Sequence, residues 1–362
     1  MSQSGDLKNK RVLCVRPDNM GDLLMSSPAI AALKETFDVD VTVLTSSMAK
    51  HIVPFIPVID NYIIADLPWV KSDAPTESID KTVLEVRKEN FDAAFIFTVF
   101  SQNPLPSAMI CYQAGIPEIF GYCRENPYKL INHWIPDDEP YSTIRHQVVR
   151  DLQLVALAGA YTSDHRLRLR DVDTLTFQQI LQQRGIRKGQ PYIIIHPGVS
   201  ELKRQYPGRS WLEVCKRVVD QFQLPLLFTG TEREHTMAQE IIDGVGHGCY
   251  NLAGKLNLEE FIAAIKNASL VISVNTSTIH IASAVETPVI VIYAATNPQH
   301  TPWMVPNEVM YFEVQEGLRS KNEVLRWVGK QWTDIPAGYP SSSSILSACE
   351  RLLKPVQHNS IA

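Results

Sequence analysis

Residues 270–293 read LVISVNTSTIHIASAVETPVIVIY, and they indicate the fold class of the whole chain. The apolar, β-branched runs at 270–274 and 288–293 predict two strands, and 279–284 predicts a short helix between them. The intervening turn, 275–278, carries three hydroxyl groups and leads into the N–H groups of a helix start, which attract anions. The stretch therefore predicts either a phosphate-binding turn or an ordinary βαβ crossover with a Thr or Ser cap. Taken alone, it favours neither.

Short apolar strands alternate with amphipathic helices along the rest of the chain, which predicts parallel sheets in an α/β protein. Strands are predicted at 12–15, 41–44, 93–97, 192–195 and 226–228, and the clearest early helix is predicted at 22–37. Ser210–Glu213 fits a capping box that opens a helix to about residue 222. A second helix start is predicted at 257–260, and the serine run 341–344 is predicted to cap a last helix at 345–353.

The strand and helix pattern restarts after a charged, polar stretch at 164–190, which we interpret as a domain junction. The predicted domains are an N-terminal domain at 1–175 and a C-terminal domain at 190–335, followed by a helix and tail at 341–362. Two doubly wound, Rossmann-like domains in series would face each other across a central cleft. Ligands of such sheets bind at the carboxyl ends of the strands.

Composition excludes several classes of protein. The chain has 362 residues, is 45% hydrophobic and carries a net charge of -5, which argues against a general nucleic-acid binder. The six cysteines occur singly and predict reduced thiols. The first ten residues lack the apolar core of a signal peptide, and no apolar run approaches the length of a membrane span. We therefore expect a cytoplasmic protein, with contact at a membrane surface left open.

Asp22 is the first candidate catalytic residue. It follows Gly21 where the first predicted strand meets the first predicted helix. Gly21 permits a tight turn or the close approach of a ligand, and a carboxylate here could act as a general base on a hydroxyl. The plainer interpretation is an N-cap, which spacing alone favours. The two roles conflict in part, because a helix N-terminus stabilises the carboxylate and so weakens it as a base.

The loop after the predicted strand at 192–195 is the second candidate. Pro197 and Gly198 predict an exposed loop. The adjacent cations Lys203 and Arg204 suit a diphosphate, since Lys supplies a point charge and Arg can bind two oxygens at once. A solvated basic loop is the plainer interpretation and is favoured when the segment is judged alone.

The segment after the predicted strand at 226–228 is the third candidate. Gly230 leaves room for a ligand, and Glu232 could accept hydrogen bonds from ribose hydroxyls. A helix cap with an acid in its first turn explains these residues equally well.

Two histidines have ambiguous roles, and several common motifs are missing. His280 could donate to a phosphate, although a satisfied core histidine is favoured, and His146 has the same ambiguity at another helix start. No His, Cys and Asp residues have metal-ligand spacing. The chain also has no Walker loop, no G-x-G-x-x-G and no G-x-S-x-G. The sequence thus argues against a P-loop NTPase and a dinucleotide dehydrogenase.

Five motifs in order resemble the bacterial heptosyltransferases of glycosyltransferase family 9, over residues 11–302. No single motif is specific, but five in this order are. They are Met20-Gly21-Asp22 with SPAIAALK at 27–34, AGIP at 114–117 with Gly121-Tyr122, His196-Pro197-Gly198 with Lys203 and Tyr206-Pro207, NLAGKLNLEE at 251–260, and Thr276, His280, Ala284 and Thr287-Pro288.

The resemblance implies a GT-B fold and an inverting transfer of a sugar, usually from ADP-heptose, to a lipopolysaccharide-core acceptor. It implies no protein-bound metal or cofactor, although the donor diphosphate could recruit Mg²⁺. Asp22 would deprotonate the acceptor hydroxyl. Fixed cations and helix donors would stabilise charge on the diphosphate leaving group. By position, the diphosphate would be held by Lys203, Thr276, Ser277 and Thr278 with support from His280, and the ribose would lie at Gly230 and Glu232.

The chain departs from the family pattern where the donor sugar is expected. Asn275 stands where the family usually has Asp, and Ser277 stands where it has Gly. Asn275 keeps the shape of Asp but lacks its charge. The family's Trp-Pro is Tyr206-Pro207 here, one residue further from Lys203. These changes leave open a nucleotide-sugar-binding protein without transferase activity, or a GT-B-fold nucleotide-sugar epimerase.

Overall fold

The computed structural model describes residues 7–71, 73–331 and 335–353, which form two compact units. The first unit comprises residues 1–170, 297–300 and 321–330, and the second comprises 171–296, 301–320 and 331–362. Two short segments of the C-terminal half are thus part of the first unit. The domain ranges 1–175, 190–335 and 341–362 stay a prediction, and the tail after residue 353 lies outside the described residues.

The first unit contains a six-stranded sheet in which all neighbouring strands are parallel. Its strands are β1 (Arg11–Arg16), β2 (Asp40–Thr45), β3 (Asn61–Ile64), β4 (Ala93–Ile96), β5 (Glu118–Cys123) and β6 (His133–Pro136). Their spatial order is β3-β2-β1-β4-β5-β6. The order reverses between β1 and β4, and doubly wound sheets bind ligands beyond the strand ends at such a reversal. The residues that follow β1 lie at this position.

Before residue 170, the described part of the first unit contains the helices α1 (Met20–Phe37), α2 (Ser78–Lys88), α3 (Leu105–Ala114) and α4 (Gln147–Ala156). α1 is buried without interruption from Leu23 to Leu33, so it is almost a core helix. An apolar core that includes Leu13 and Val15 of β1 and Ile96 of β4 contains residues of α2 and α3. The junction between β1 and α1 thus lies between two buried elements.

The second unit contains another six-stranded parallel sheet. Its strands are β7 (Ile193–His196), β8 (Leu226–Phe228), β9 (Cys249–Asn251), β10 (Leu270–Val274), β11 (Val289–Ala294) and β12 (Asn307–Phe312). The spatial order is β12-β11-β10-β7-β8-β9, which reverses between β7 and β10. Both sheets therefore have the doubly wound order, as predicted.

The remaining helices are α5 (Leu175–Gln182), α6 (Gly208–Phe222), α7 (His235–Val245), α8 (Leu258–Lys266), α9 (Ser277–Ala284), α10 (Glu323–Gln331) and α11 (Ser342–Leu353). Of these, α10 belongs to the first unit except for its last residue. The βαβ unit predicted at 270–293 is confirmed as β10, α9 and β11. Short 3-10 turns lie at Lys50–Phe55, Leu202–Arg204, Glu232–Glu234, Pro298–His300 and Glu316–Leu318.

Two predicted helix starts in the second unit are supported by caps. Asn257 is the N-cap of α8, and it exchanges hydrogen bonds with Glu260 as a capping box. Ser341 Oγ accepts from the Ser344 N–H at 3.1 Å. The last helix consequently begins inside the serine run, three residues before the predicted start.

The capping box predicted at Ser210–Glu213 is wrong. α6 begins at Gly208, directly after Pro207, whose backbone is extended (φ -61, ψ 138). Ser210 therefore lies inside the first turn. Glu213 accepts from the Ser342 hydroxyl, a partner distant in sequence, instead of folding back to the helix start.

Candidate functional site

The predicted site residues fall into two groups, one at the carboxyl edge of each sheet. Asp22 follows β1 in the first unit. The other group follows three neighbouring strands of the second sheet, β8, β7 and β10. Its members are Lys203 after β7, Gly230 and Glu232 after β8, and Asn275, Thr276, Ser277, Thr278 and His280 after β10.

Asp22 is not the N-cap that spacing favoured. The N-cap of α1 is Asn19, whose backbone is extended (φ -88, ψ 171), and Asp22 is the third helical residue. The Asn19 N–H donates to Asp22 Oδ2 at 3.1 Å, which is the return bond of a capping box. α1 thus begins at Met20, because Asn19 occupies the cap and Asp22 supports it from within the first turn.

Arg16, the last residue of β1, anchors Asp22 from the sheet. The Arg16 side chain is fully buried, with Nη2 3.3 Å from Asp22 Oδ1 and Nε 3.2 Å from Asp18 Oδ2. Gln102 donates to the other oxygen of Asp18 at 2.7 Å. One guanidinium therefore holds two carboxylates of the β1–α1 junction in fixed positions.

A third carboxylate, Asp151 of α4, adds to this buried cluster. It accepts from Ser26 at 2.7 Å and from Gln147 at 2.6 Å. Burial raises the pKa of Asp151 to about 6 against the opposing charge of Arg16. Burial would lower the pKa of Arg16, but Asp18, Asp22 and Asp151 outweigh it and raise that pKa. Arg16 therefore stays charged.

The loop after β7 is buried at its start, so the prediction of an exposed loop at Pro197 and Gly198 is wrong. A Cβ at Gly198 would lie 2.6 Å from Glu234 Cγ, and this packing demands glycine. His196 is 3.0 Å from Thr229 Oγ1 through Nδ1. Burial lowers the pKa of His196 to about 4, and the charge of Glu234 opposes this shift only in part. His196 is thus a neutral group that joins the ends of β7 and β8.

The two cations of this loop already have a carboxylate partner. Glu201 Oε2 lies 2.5 Å from Lys203 Nζ, and Glu201 Oε1 lies 2.6 Å from Arg204 Nη2. Burial would raise the pKa of Glu201, but Lys203 and Arg204 outweigh it and lower that pKa. Arg204 Nη1 also donates to the backbone oxygen of Asn275 at 3.2 Å. The basic loop and the hydroxyl-rich turn therefore meet directly.

The turn after β10 is capped by one of its own hydroxyls. Thr276 is the N-cap of α9, and its Oγ1 accepts from the Thr278 N–H at 3.4 Å. Ser277 and Thr278 open the helix, which begins two residues earlier than predicted, and His280 is buried one turn on. The crossover with a threonine cap is confirmed in geometry. Phosphate binding at this helix start stays a prediction.

The side chain of Asn275 has a polar atom without a hydrogen bond among the described residues. Its side chain is buried, and Oδ1 has no hydrogen-bond partner among the residues that the structure describes. A buried carbonyl without a donor costs roughly 1–3 kcal/mol. Asn275 therefore presents a neutral acceptor at the end of β10.

Glu232 and Gly230 lie in a tightly packed turn. Thr231 caps the Glu232–Glu234 turn, and its N–H donates to Glu234 Oε2 at 2.7 Å. A Cβ at Gly230 would lie 2.9 Å from Glu234 Cβ, so Glu234 fills the space that was expected for a ligand. Gly254 has φ +75, and a Cβ there would lie 2.9 Å from Glu232 Cα. The N-L-A-G motif thus supports the exposed Glu232 from below.

Sequence reasoning missed two residues that organise these sites. Arg16 was visible as a charge at the end of an apolar strand, and Glu201 as an acid two residues before Lys203. Nothing in the local pattern shows which partners they hold. His146 is confirmed at a helix start, where its Nδ1 accepts from the Val148 N–H at 3.2 Å. Within 7–71, 73–331 and 335–353, no three His, Cys, Asp or Glu residues are grouped to hold a metal ion.

Comparison with known proteins identifies the family. The model of glycosyltransferase family 9 (heptosyltransferase) matches residues 81–324, more than half of the 362 residues. The chain belongs to glycosyltransferase family 9. It is similar to lipooligosaccharide heptosyltransferase 2 of Haemophilus influenzae, with 24% identity over 311 residues, which is 80% of this chain and 85% of that protein. Lipopolysaccharide heptosyltransferase 2 of Escherichia coli is 21% identical over 312 residues, or 81% and 85% of the two chains.

Solved structures of the family confirm the GT-B fold. A family 9 glycosyl transferase from Veillonella parvula has a TM-score of 0.77 at 16% identity, over 97% of this chain and 99% of that one. The E. coli ADP-heptose LPS heptosyltransferase II has a TM-score of 0.68 at 19% identity, over 95% and 98%. Among the helices of the described residues, none is long and apolar enough to cross a membrane.

His196 gives the stability of this family 9 chain a dependence on pH. Its pKa is 6.5 ordinarily and about 4 in the folded chain, so the unfolded chain binds more protons between these values. The contribution of neutral His196 is therefore complete above pH 6.5 and lost as the pH falls through 4. Between pH 7 and 4, the stability difference between wild type and His196→Asn should shrink by roughly 2–3 kcal/mol. Urea unfolding at both pH values measures this, with the exposed His51→Asn as control. An unchanged difference contradicts the assignment.

Proposed function

We propose that this chain transfers heptose or a similar sugar from a nucleoside diphosphate to a lipopolysaccharide-core or related envelope glycan, with inversion and without a metal of its own. One observation carries the proposal: Arg204 joins the basic loop after β7 to the turn after β10, at the reversal of the second sheet. Cations and a helix start in this position suit a diphosphate. The names of the heptosyltransferase relatives support the sugar and the acceptor.

The second unit would bind the leaving diphosphate. Lys203 and Arg204 supply positive charge beside the turn that opens α9. Ser277 and Thr278 add hydroxyls and backbone N–H groups at the N-terminus of this eight-residue helix, where the dipole favours an anion. His280 lies further along the same helix. As the bond to the sugar breaks, negative charge grows on the diphosphate, and these fixed groups would stabilise it.

Asp22 would act on the acceptor in the first unit. Its Oδ1 is held by Arg16 and its Oδ2 by the Asn19 N–H, so the carboxylate has a defined orientation. In the proposed step, the acceptor oxygen bonds to the anomeric carbon while the bond to the diphosphate oxygen breaks. The hydroxyl proton passes to Asp22, and the diphosphate leaves with the bonding electrons. Attack opposite the leaving group inverts the anomeric centre.

The nucleoside would lie near Glu232, whose exposed carboxylate can accept hydrogen bonds from ribose hydroxyls. Gly230 would contribute through its backbone, because Glu234 occupies its side-chain position. Mg²⁺ would enter only with the donor diphosphate. A glycolipid acceptor also implies action at the inner face of a membrane, through peripheral contact.

Asn275 supports a second candidate, a nucleotide-sugar-binding protein without transferase activity. Its neutral side chain replaces the acid that the resemblance implies, and its buried acceptor has no donor within the described part of the chain. Binding of a nucleotide sugar without turnover on any acceptor would favour this candidate. Product analysis in the absence of acceptor separates the third option, an epimerase.

The first experiment tests which nucleotide the chain binds. A thermal-shift screen of ADP, GDP and UDP, each with its sugars, should show one preferred base, and we expect ADP. At about 100 times its dissociation constant a ligand adds about 2.7 kcal/mol, or roughly 5 °C for a unit of this size. Inorganic phosphate at equal concentration is the control for general anion binding. A screen in which no diphosphate raises the melting temperature contradicts the proposed site.

Substitution of Asp22 distinguishes a catalytic role from a helix-capping role. Asp22→Asn should lower the transfer rate about 100-fold or more, because the amide cannot accept the proton. The dissociation constant of ADP, measured by calorimetry, should change less than about twofold, since the nucleotide binds the other unit. Asp80→Asn, an exposed acid of α2, is the matched control. A loss of transfer activity that matches a loss of folded protein would instead identify Asp22 as a structural cap.

Glu201 should limit affinity for the donor. Its carboxylate occupies Lys203 and Arg204, so a diphosphate must displace it. Glu201→Gln should tighten the binding of ADP and of inorganic pyrophosphate about three- to tenfold at low salt, and the gain should fade as salt is added. Glu259→Gln, an exposed acid of α8, is the control. Weaker binding in Glu201→Gln would show that Glu201 positions the cations and does not compete for them.

A further inference from the structure

The segment Asn297–His300 belongs to the first unit and is fixed there by a buried glutamine. Gln299 has no exposed surface. Its Nε2 donates to Glu139 Oε2 at 2.7 Å, and its Oε1 accepts from the Phe100 N–H at 3.4 Å. Glu139 is itself buried and paired with Arg150 at 3.1 Å. The 3-10 turn Pro298–His300 therefore has a defined position on the first unit.

Two hydrogen bonds within this segment determine which nitrogen of His300 carries the proton. The Gln299 N–H donates to Asn297 Oδ1 at 3.0 Å, and this fixes the orientation of the Asn297 amide. Asn297 Nδ2, which can only donate, then lies 3.5 Å from His300 Nε2. This contact favours Nε2 as the acceptor, and a neutral His300 with this arrangement has its proton on Nδ1.

The protonated nitrogen of His300 faces the carboxylate at the start of α1. His300 Nδ1 lies 3.7 Å from Asp22 Oδ1. The same oxygen lies 3.3 Å from Arg16 Nη2, while Oδ2 accepts from the Asn19 N–H. Both side chains are mostly buried, with exposed fractions of 21% for His300 and 14% for Asp22. The separation is slightly longer than a hydrogen bond, as is common for active-site groups before substrate binds.

We propose that His300 is a positioning residue for Asp22: its Nδ1–H binds Asp22 Oδ1 and, with Arg16, turns Oδ2 toward the acceptor hydroxyl. The inference rests on the proposed function, in which Asp22 takes the acceptor proton. With donors on Oδ1, Oδ2 is the oxygen that would receive the proton. A carboxylate free to rotate would present Oδ2 for only part of the time, and misplacement of a reacting group lowers the rate of the chemical step.

Two substitutions distinguish the donated hydrogen bond from simple packing. His300→Asn retains an N–H donor at the place of Nδ1, whereas His300→Leu retains bulk without a donor. His300→Leu should lower kcat about 10- to 100-fold with donor KM nearly unchanged. His300→Asn should recover kcat to within about threefold of wild type. The exposed His51→Gln is the control. A normal kcat in His300→Leu, or equal losses in both variants of His300, overturns the proposal.

A second measurement does not depend on activity. Nitrogen-15 NMR of histidine-labelled protein, at a pH where the ring is neutral, reports which ring nitrogen carries the proton. The His300 signal, assigned by its loss in His300→Asn, should show the proton on Nδ1. A proton on Nε2 overturns the proposal. A wild type that transfers no sugar from any donor contradicts the proposed function instead, and the NMR result still decides how His300 and Asp22 are paired.

Discussion

A single buried charge, that of Arg16, constrains the whole junction between β1 and α1. The guanidinium has no exposed surface, and removing such a group from water costs several kcal/mol unless carboxylates compensate. Asp18 and Asp22 supply this compensation from the loop and from the first turn of α1. Because each carboxylate must reach the same guanidinium, the loop can adopt few conformations. The position of Asp22 thus follows from charge balance, and the capping box with Asn19 is a second consequence of it.

The cations of the second unit's basic loop are less buried than Arg16. Lys203 and Arg204 are partly exposed, and the single carboxylate of Glu201 pairs with both of them. Exposed ion pairs of this kind contribute little to stability, about 0–1 kcal/mol each, so they can exchange partners at small cost. Binding of a diphosphate here, as proposed, would exchange the Glu201 carboxylate for the ligand, and the affinity would reflect the difference between the two. The buried Arg16 could not exchange its partners Asp18 and Asp22 in this way.

The local sequence pattern predicted the strands and helices well, but it predicted poorly which side chains contact one another. β10 and β8 begin and end at the predicted residues, because β-branched and apolar runs have few alternatives inside a parallel sheet. Ser210–Glu213 satisfied every local condition for a capping box, yet Glu213 pairs with Ser342, which no local pattern can reveal. Gly198 was expected in an exposed loop, but it is buried because Glu234 packs against it. The candidate positions were therefore visible in the sequence, whereas their surroundings depended on residues distant in the chain.

The difference in burial between Arg16 and the cations of the second unit bears on which unit would lower the energy barrier of the proposed reaction. Arg16 and the Asn19 N–H donate to the two oxygens of Asp22 and fix the carboxylate in place. In the proposed reaction the hydroxyl becomes acidic as its oxygen bonds to the anomeric carbon, so its proton would leave late. The energy barrier of the proposed reaction would then depend mainly on the departing diphosphate. The second unit has cations and a helix start for it, and Asn275 carries no charge where the resemblance implies Asp. A neutral residue next to a growing negative charge repels it less than an acid would. Under the proposed function, Asn275 would favour departure of the diphosphate, and it would give up a charged acceptor for the hydroxyls of the sugar.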